Sequence, residues 1–290
     1  MIAVAQKTRL LPARAQPLTI SDPEYIEIRR LLRQTAGINL TDNKQSMVIR
    51  RLSGRLKVLE LSSFSEYCEI LRSGDRTELE LFGNAMTTNL TAFFRENHHF
   101  ELLRKTLLPK LVEQSGNRDK TIHFWSAGCS TGEEAYSLAM QINESFPRPR
   151  SVDFKILATD IDSAALSHSE KGIYTKQRFE RMPEARLRRW FERGTGGNRG
   201  YFRIKPELMR DLVFKQLNLF QDWPMKNKFD VIFCRNVIIY FDKPTQKRLV
   251  ERFANQLNAD GYLFLGHSES LTNMTDKFSL LGQSVYRKVS

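Results

Sequence analysis

The chain has 290 residues, about two domains' worth at 100–200 residues each, with 41% hydrophobic and 27% charged residues. That balance excludes wholesale disorder, and no apolar run approaches the ~18 residues that a membrane-spanning helix requires. The formal charge of +12 would suit nucleic acid, an anionic membrane surface or an acidic protein, but residues 171–210 alone hold twelve Lys/Arg against four Glu, so the excess is local.

Residues 1–18 carry Lys7, Arg9 and Arg14 among short apolar pieces. They lack the continuous apolar centre and small-residue cleavage site of a secretory signal, and a disordered tail is expected over residues 1–20. Ser21-Asp22-Pro23-Glu24 predicts a helix start, with Ile28, Leu31, Leu32 and Ala36 at helical spacing and Gly37 as its stop. A second helix is expected from Thr41-Asp42, with Val48, Leu52, Leu56 and Leu59 on one stripe and Lys44, Arg50, Arg51, Arg55 and Lys57 on its flanks. Ser63-Phe64-Ser65-Glu66 reads as a capping box opening a third helix, and a fourth is expected over 76–88. Four short helices with no strand between them predict a small helical domain at residues 21–90.

From about Thr121 the pattern alternates. Strands are expected at 122–126, 154–159, 212–217, 229–234, 261–265 and 284–289, with helices at 133–144, 163–171 and 243–257. Such alternation predicts an α/β doubly wound sheet within residues 91–290. The basic stretch interrupts it, and Arg193-Gly194-Thr195-Gly196-Gly197-Asn198-Arg199-Gly200 marks a turn, so a small antiparallel β insert is expected at about 172–212. Cys68, Cys129 and Cys234 are odd in number and far apart, which suits a reducing, cytoplasmic setting and offers no disulfide framework.

In open α/β sheets, ligands bind beyond the carboxyl ends of the strands where strand order reverses. There the first strand runs into Ala127-Gly128-Cys129-Ser130-Thr131-Gly132-Glu133-Glu134. The spacing is not that of a dinucleotide fingerprint, no P-loop lysine follows, and two carboxylates at a helix start would repel phosphate. They suit a cationic or hydroxyl-bearing ligand, or simply a tight turn with favourable helix-start charges. At the end of the second strand, Asp160 is the ribose candidate and Asp162 the cap of the next helix. A nucleoside ligand without phosphates fits, S-adenosylmethionine being the commonest, with its ammonium toward Glu133 or Glu134. Asn218 ends a further strand with an amide suited to an adenine edge, and a buried strand breaks into Cys234-Arg235-Asn236.

Four separated motifs then carry a resemblance: Thr87-Thr88-Asn89-Leu90-Thr91-Ala92-Phe93-Phe94-Arg95-Glu96, the glycine turn from Ser126 to Glu134, Phe233-Cys234-Arg235-Asn236-Val237-Ile238-Ile239-Tyr240-Phe241-Asp242, and Gly266-His267-Ser268-Glu269. Together they resemble the bacterial chemoreceptor glutamate methyltransferases, the CheR family. The resemblance implies an N-terminal helical domain, a class I methyltransferase domain with a β-subdomain insert, and methylation of glutamates on the cytoplasmic helices of chemoreceptors by S-adenosylmethionine, with S-adenosylhomocysteine as product. It implies cofactor contacts at Asn89, Thr91, Arg95, Glu134, Asp160, Asn218, Leu219, Arg235 and Asn236, and places Arg95 and Tyr240 beside the transferred methyl. It also implies that the insert can dock a receptor C-terminal peptide.

A glutamate nucleophile is already ionised at neutral pH, so no general base is expected. No metal is expected either, because the adjacent His98 and His99 project about 100° apart on a helix. His267 is expected to be a loop-stabilising hydrogen bonder rather than a catalyst. Nucleic acid is disfavoured as a substrate, since Cys234-Arg235-Asn236-Val237 stands where amine-methylating enzymes carry an Asp/Asn-Pro-Pro-Tyr motif and no aromatic-rich basic groove is evident. Arg50, Arg51, Arg55 and Lys57 are the candidate docking charges for acidic receptor helices.

Overall fold

The computed structural model describes residues 18–116, 121–150, 152–179 and 182–289. The tail expected over residues 1–20 lies outside the described residues as far as residue 17. Four helices open the chain, α1 (Asp22–Ala36), α2 (Gln45–Val58), α3 (Phe64–Arg72) and α4 (Arg76–Met86). Their ends follow the sequence signals. Ser21 with Glu24 and Ser63 with Glu66 form capping boxes, and Gly37 caps α1 at φ 69°.

A helical run absent from the sequence reading follows: α5 (Asn97–Leu102) passes through a π-helical turn (Leu103–Leu107) into α6 (Leu108–Ser115). Pro109 lacks an N–H and reads as a breaker, but it falls in the first turn of α6, and the wider turn before it absorbs the irregularity. Phe100, Leu103, Leu107 and Leu108 are buried along this run.

The remaining elements are β1 (Thr121–Ala127), α7 (Glu133–Ser145), β2 (Asp153–Asp160), α8 (Ser163–Lys171), β3 (Ile173–Thr175), α9 (Glu184–Trp190), β4 (Phe191–Arg193), β5 (Tyr201–Ile204), α10 (Pro206–Met209), β6 (Leu212–Gln216), β7 (Phe229–Cys234), α11 (Lys243–Gln256), β8 (Leu257–Leu265), β9 (Phe278–Gly282) and β10 (Val285–Lys288). One seven-stranded sheet has the order β6-β2-β1-β7-β8-β10-β9. Its first five strands are mutually parallel, and β10 and β9 close the edge antiparallel. Strand order reverses between β1 and β7, so the carboxyl ends of β1, β2, β6 and β7 face a common crevice. The expected insert is a separate sheet, β3-β5-β4, with the glycine-rich turn between β4 and β5. β9 was not anticipated: its pattern is exposed and apolar, with Leu280 and Leu281 facing outward, so it lacks the alternation that marks a half-buried strand.

Strand β7 is buried throughout and splits its side chains between two cores. Val231 and Phe233 join a core with α5–α7 and the insert. Ile232 and Cys234 join one with α11 and the whole N-terminal helical domain. The helical domain therefore packs on the sheet rather than hanging from it. Polar ties cross the same seam: Asn39 N donates to the Tyr240 carbonyl (2.8 Å), Asn218 Nδ2 to the Thr35 carbonyl (2.7 Å), Thr87 Oγ1 to Asp162 (2.7 Å), and Arg33 pairs with Asp242.

Candidate functional site

A cavity opens at the carboxyl ends of the parallel strands, under the helical domain. All ten residues expected at the catalytic and cofactor positions line it: Asn89, Thr91 and Arg95 from the linker after α4, Glu134 on α7, Asp160 at the end of β2, Asn218 and Leu219 after β6, and Arg235, Asn236 and Tyr240 after β7. Glu133 does not line it. That carboxylate turns away, accepting from Thr131 Oγ1 (2.6 Å) and lying 3.4 Å from Arg178, which leaves Glu134 as the acid of the helix start that faces a ligand.

The glycine turn is drawn tight by its own backbone. Gly128 and Cys129 both donate to the Thr159 carbonyl at the end of β2 (2.8 and 2.9 Å). Gly128 has φ 86°, and a Cβ there would stand 2.4 Å from Val237, so the close approach of the β1 and β7 loops requires glycine. Ser130 N donates to Asp160 Oδ2 (2.7 Å) and Asp162 N to its Oδ1 (3.0 Å), which fixes the Asp160 carboxylate at the cavity wall. Asp162 caps α8 as expected, accepting from Ala164 N and Ala165 N. Asn89 bridges this region to the linker, donating to Asp162 (2.7 Å) and accepting from Ser130 Oγ (2.9 Å).

Glu134 accepts from Ser126 Oγ (2.7 Å) and pairs with Arg235 (3.2 Å). Arg235 also pairs with Glu96 (3.2 Å) and donates to the Arg95 carbonyl. The deepest cation of the site is thus shared by two carboxylates. Burial pushes both Glu134 and Asp160 above the ordinary carboxylate range, only partly offset by Arg235 in the first case and by backbone N–H donors in the second. Glu96 goes the other way, to about 2: burial opposes its ionisation, but the hydrogen bond from His267 and the charge of Arg235 prevail.

Arg95 stands between two left-handed residues, Phe94 (φ 53°) and Glu96 (φ 54°), each a conformation that costs on the order of 1–3 kcal/mol outside glycine. Its Nη1 donates to the Leu90 carbonyl (2.8 Å). The loop from Asn236 to Tyr240 is anchored by the buried Glu269 carboxylate, which accepts from Asn236 N (2.8 Å), Gly266 N (2.6 Å) and Ile239 N (3.2 Å). Sequence reasoning quoted Glu269 as part of a motif without finding this role.

The Asn218 amide, expected to read an adenine edge, donates to the Thr35 carbonyl and accepts from Phe220 N (3.0 Å), bonds that fix it at the cavity wall. Other expectations need correction. Of the four docking charges, Arg51 donates to the Met86 and Thr87 carbonyls and to Thr88 Oγ1, and Arg55 pairs with Glu78, a nearly buried acid that also accepts from Tyr67 (2.7 Å). Both hold the domain together. Only Arg50 and Lys57 point into solvent. The angular argument against a shared ligand at the two histidines also fails, because Glu96, His98 and His99 bring ligand atoms within 4.8 Å of one another. The Arg235 guanidinium beside Glu96 opposes a cation there.

The helical domain's part in the wall was missed. Ala36, Ile38 and Met86 line the cavity, and Gly37 admits the Phe220 ring where a Cβ would stand 2.2 Å from it. No motif carries those apolar positions; only the docking of α1 on the sheet brings them in. The insert touches the site through the linker. Phe93 packs on Tyr174, Phe179 and Phe191, and Arg178 donates to the Thr91 carbonyl (3.1 Å).

Residues 23–87 match the family model described as "CheR methyltransferase, all-alpha domain", and residues 89–287 match "CheR methyltransferase, SAM binding domain". The chain is 43% identical over 267 residues to "Chemotaxis protein methyltransferase 2" of Pseudomonas aeruginosa, covering 91% of this chain and 92% of that protein. It is 41% identical over 282 residues to the "Chemotaxis protein methyltransferase" of Salmonella typhimurium (97% and 95% covered), and 40% identical over 282 residues to that of Escherichia coli (97% and 96%).

Proposed function

The chain belongs to the CheR methyltransferase family, and on that premise we propose that it transfers a methyl group from S-adenosylmethionine to glutamate side chains of chemoreceptors, giving methyl esters for sensory adaptation. The observation that carries the reading is that Glu134, Asp160, Arg95 and Tyr240 line one cavity at the strand-order reversal.

The residues present fit a nucleoside sulfonium. Glu134 and Asp160 are desolvated carboxylates whose ionised forms would be favoured by an ammonium and by ribose hydroxyls respectively. The guanidinium of Arg235 is neutralised by Glu134 and Glu96, so it offers no free charge to a phosphate. Ile38, Met86 and Leu219 give apolar walls for a base.

When bound, S-adenosylmethionine would supply an electrophilic methyl on sulfur, so that a C–O bond would form as the C–S bond broke and its electron pair left with a neutral sulfide. The protein's task is alignment. A glutamate carboxylate, ionised at neutral pH, attacks without a general base. Arg95 can fix that carboxylate by its planar fork, and Tyr240 can donate to a carboxylate oxygen or wall the reacting centre. Methyl transfer cancels two opposite charges, so excluding water favours it, and the helical domain over the cavity serves that end.

Docking follows from charge. Acidic receptor helices would meet the exposed Arg50 and Lys57 on α2, and a receptor C-terminal peptide would add to an open edge of the β3-β5-β4 sheet among its basic residues. Two weak contacts raise the effective substrate concentration at the cavity. By the family resemblance the receptor glutamates would lie on cytoplasmic helices, so the reaction would run in the cytoplasm. Among the described residues no helix is long and apolar enough to cross a membrane. Offering receptor and duplex DNA together with labelled S-adenosylmethionine tests the assignment: label on receptor supports it, and label on DNA refutes it.

A further inference from the structure

The backbone at Arg95 is bent at both neighbours, since Phe94 and Glu96 are each left-handed, so the direction of the guanidinium depends on whatever pins those two residues. The pinning converges on one carboxylate. Glu96 Oε1 lies 2.9 Å from His267 Nδ1, and Oε2 lies 3.2 Å from Arg235, which in turn donates to the Arg95 carbonyl. Linker, β7 loop and β8 loop thus meet at Glu96. We propose that Glu96 and His267 are positioning residues for Arg95, an inference that rests on the role given to Arg95 above.

His267 is the informative member of the pair. Its side chain is 69% exposed and does not line the cavity, so its loss removes a tether without opening a core or touching a cofactor contact. Arg235 would be a poor probe because it also pairs with Glu134. Glu96 is further crowded by the buried His99, whose Nδ1 is 3.5 Å from Oε2, so a change at Glu96 would disturb more than the tether.

The test compares His267→Ala, His267→Asn, Arg95→Ala and the His267→Ala/Arg95→Ala double variant in receptor methylation. Asparagine places an amide nitrogen close to where Nδ1 stands, so it keeps the donor. His267→Ala should lower kcat about tenfold, within the ~100-fold that a 1 Å misplacement can cost, with S-adenosylmethionine affinity near wild type and the fold retained. His267→Asn should restore most of the rate. In the Arg95→Ala background the same His267→Ala change should cost less than about twofold, because its target is gone. Wild-type turnover in His267→Ala while Arg95→Ala is impaired would overturn the positioning role, as would an undiminished tenfold cost in the double variant. Wild-type turnover in Arg95→Ala would instead overturn the role of Arg95 itself, and the tether proposal with it.

Discussion

Arg235 lies 3.2 Å from Glu134, joining the loop after β7 to the helix after β1 at the point where strand order reverses. The pair makes the cavity floor nearly neutral while leaving a desolvated carboxylate in the cavity wall. Removing either acid of the wall should weaken cofactor binding. Glu134→Gln and Asp160→Ala should each lose about 1–3 kcal/mol of S-adenosylmethionine affinity, the scale of an unmade hydrogen bond to a buried group. Calorimetry showing wild-type affinity in one variant would remove that residue from the cofactor site.

Arg95 and Tyr240 are expected to behave differently from the wall acids. Their proposed partners are the substrate carboxylate and the transition state, so Arg95→Ala and Tyr240→Phe should depress kcat far more than cofactor affinity. Parallel binding and single-turnover measurements separate the two effects, and loss of affinity equal to loss of rate would reassign both residues to cofactor binding.

The α2 charges divide cleanly in the structure, and their variants should divide too. Arg50→Glu with Lys57→Glu leaves the fold untouched, should slow receptor methylation, and should flatten its salt dependence. Arg55→Glu faces Glu78 with a like charge in a nearly buried setting and should cost about 3 kcal/mol or more of stability. Urea unfolding and methylation across a salt series check both. A reversed Arg50/Lys57 pair with wild-type rate and salt response would assign that face to solvent.

His99 should make the protein acid-sensitive in a defined window. Burial, aided by the nearby Arg235, lowers its pKa from 6.5 to about 4. As pH falls below 6.5 the unfolded chain takes up a proton that the folded chain refuses until about pH 4, so stability declines through that window, by about 3 kcal/mol in total. Glu96, depressed to about 2, loses its own contribution only at lower pH, while Glu134 and Asp160, raised by burial, act in the opposite sense, so the histidine's share is read from its variant at pH 7 and pH 5. His99→Gln should shrink the difference in urea midpoint between those pH values, and an unchanged difference would place the sensitivity elsewhere.

Much of this architecture could be read from the chain. Capping boxes, the glycine turn and the strand–helix alternation are local signals, and each marks a real boundary. Seven of the ten cavity residues follow strand ends, and Asn89, Thr91 and Arg95 were legible only through the linker motif that carries the family resemblance. What escaped was non-local. Ile38 and Met86 reach the cavity only through packing of one domain on another, and Arg55 reads as a surface charge until Glu78 is brought beside it. The helical run after the linker carries Pro109, whose position in a first turn shows only in three dimensions.

The central claim is that this cavity makes glutamate methyl esters. Membranes carrying chemoreceptors should be incubated with methyl-labelled S-adenosylmethionine and the protein, then treated with mild base. The account predicts label on a receptor-sized band, released by base as methanol and strongly reduced when Arg95→Ala replaces the wild type. Label that resists base, or label that persists unchanged in Arg95→Ala, would contradict it.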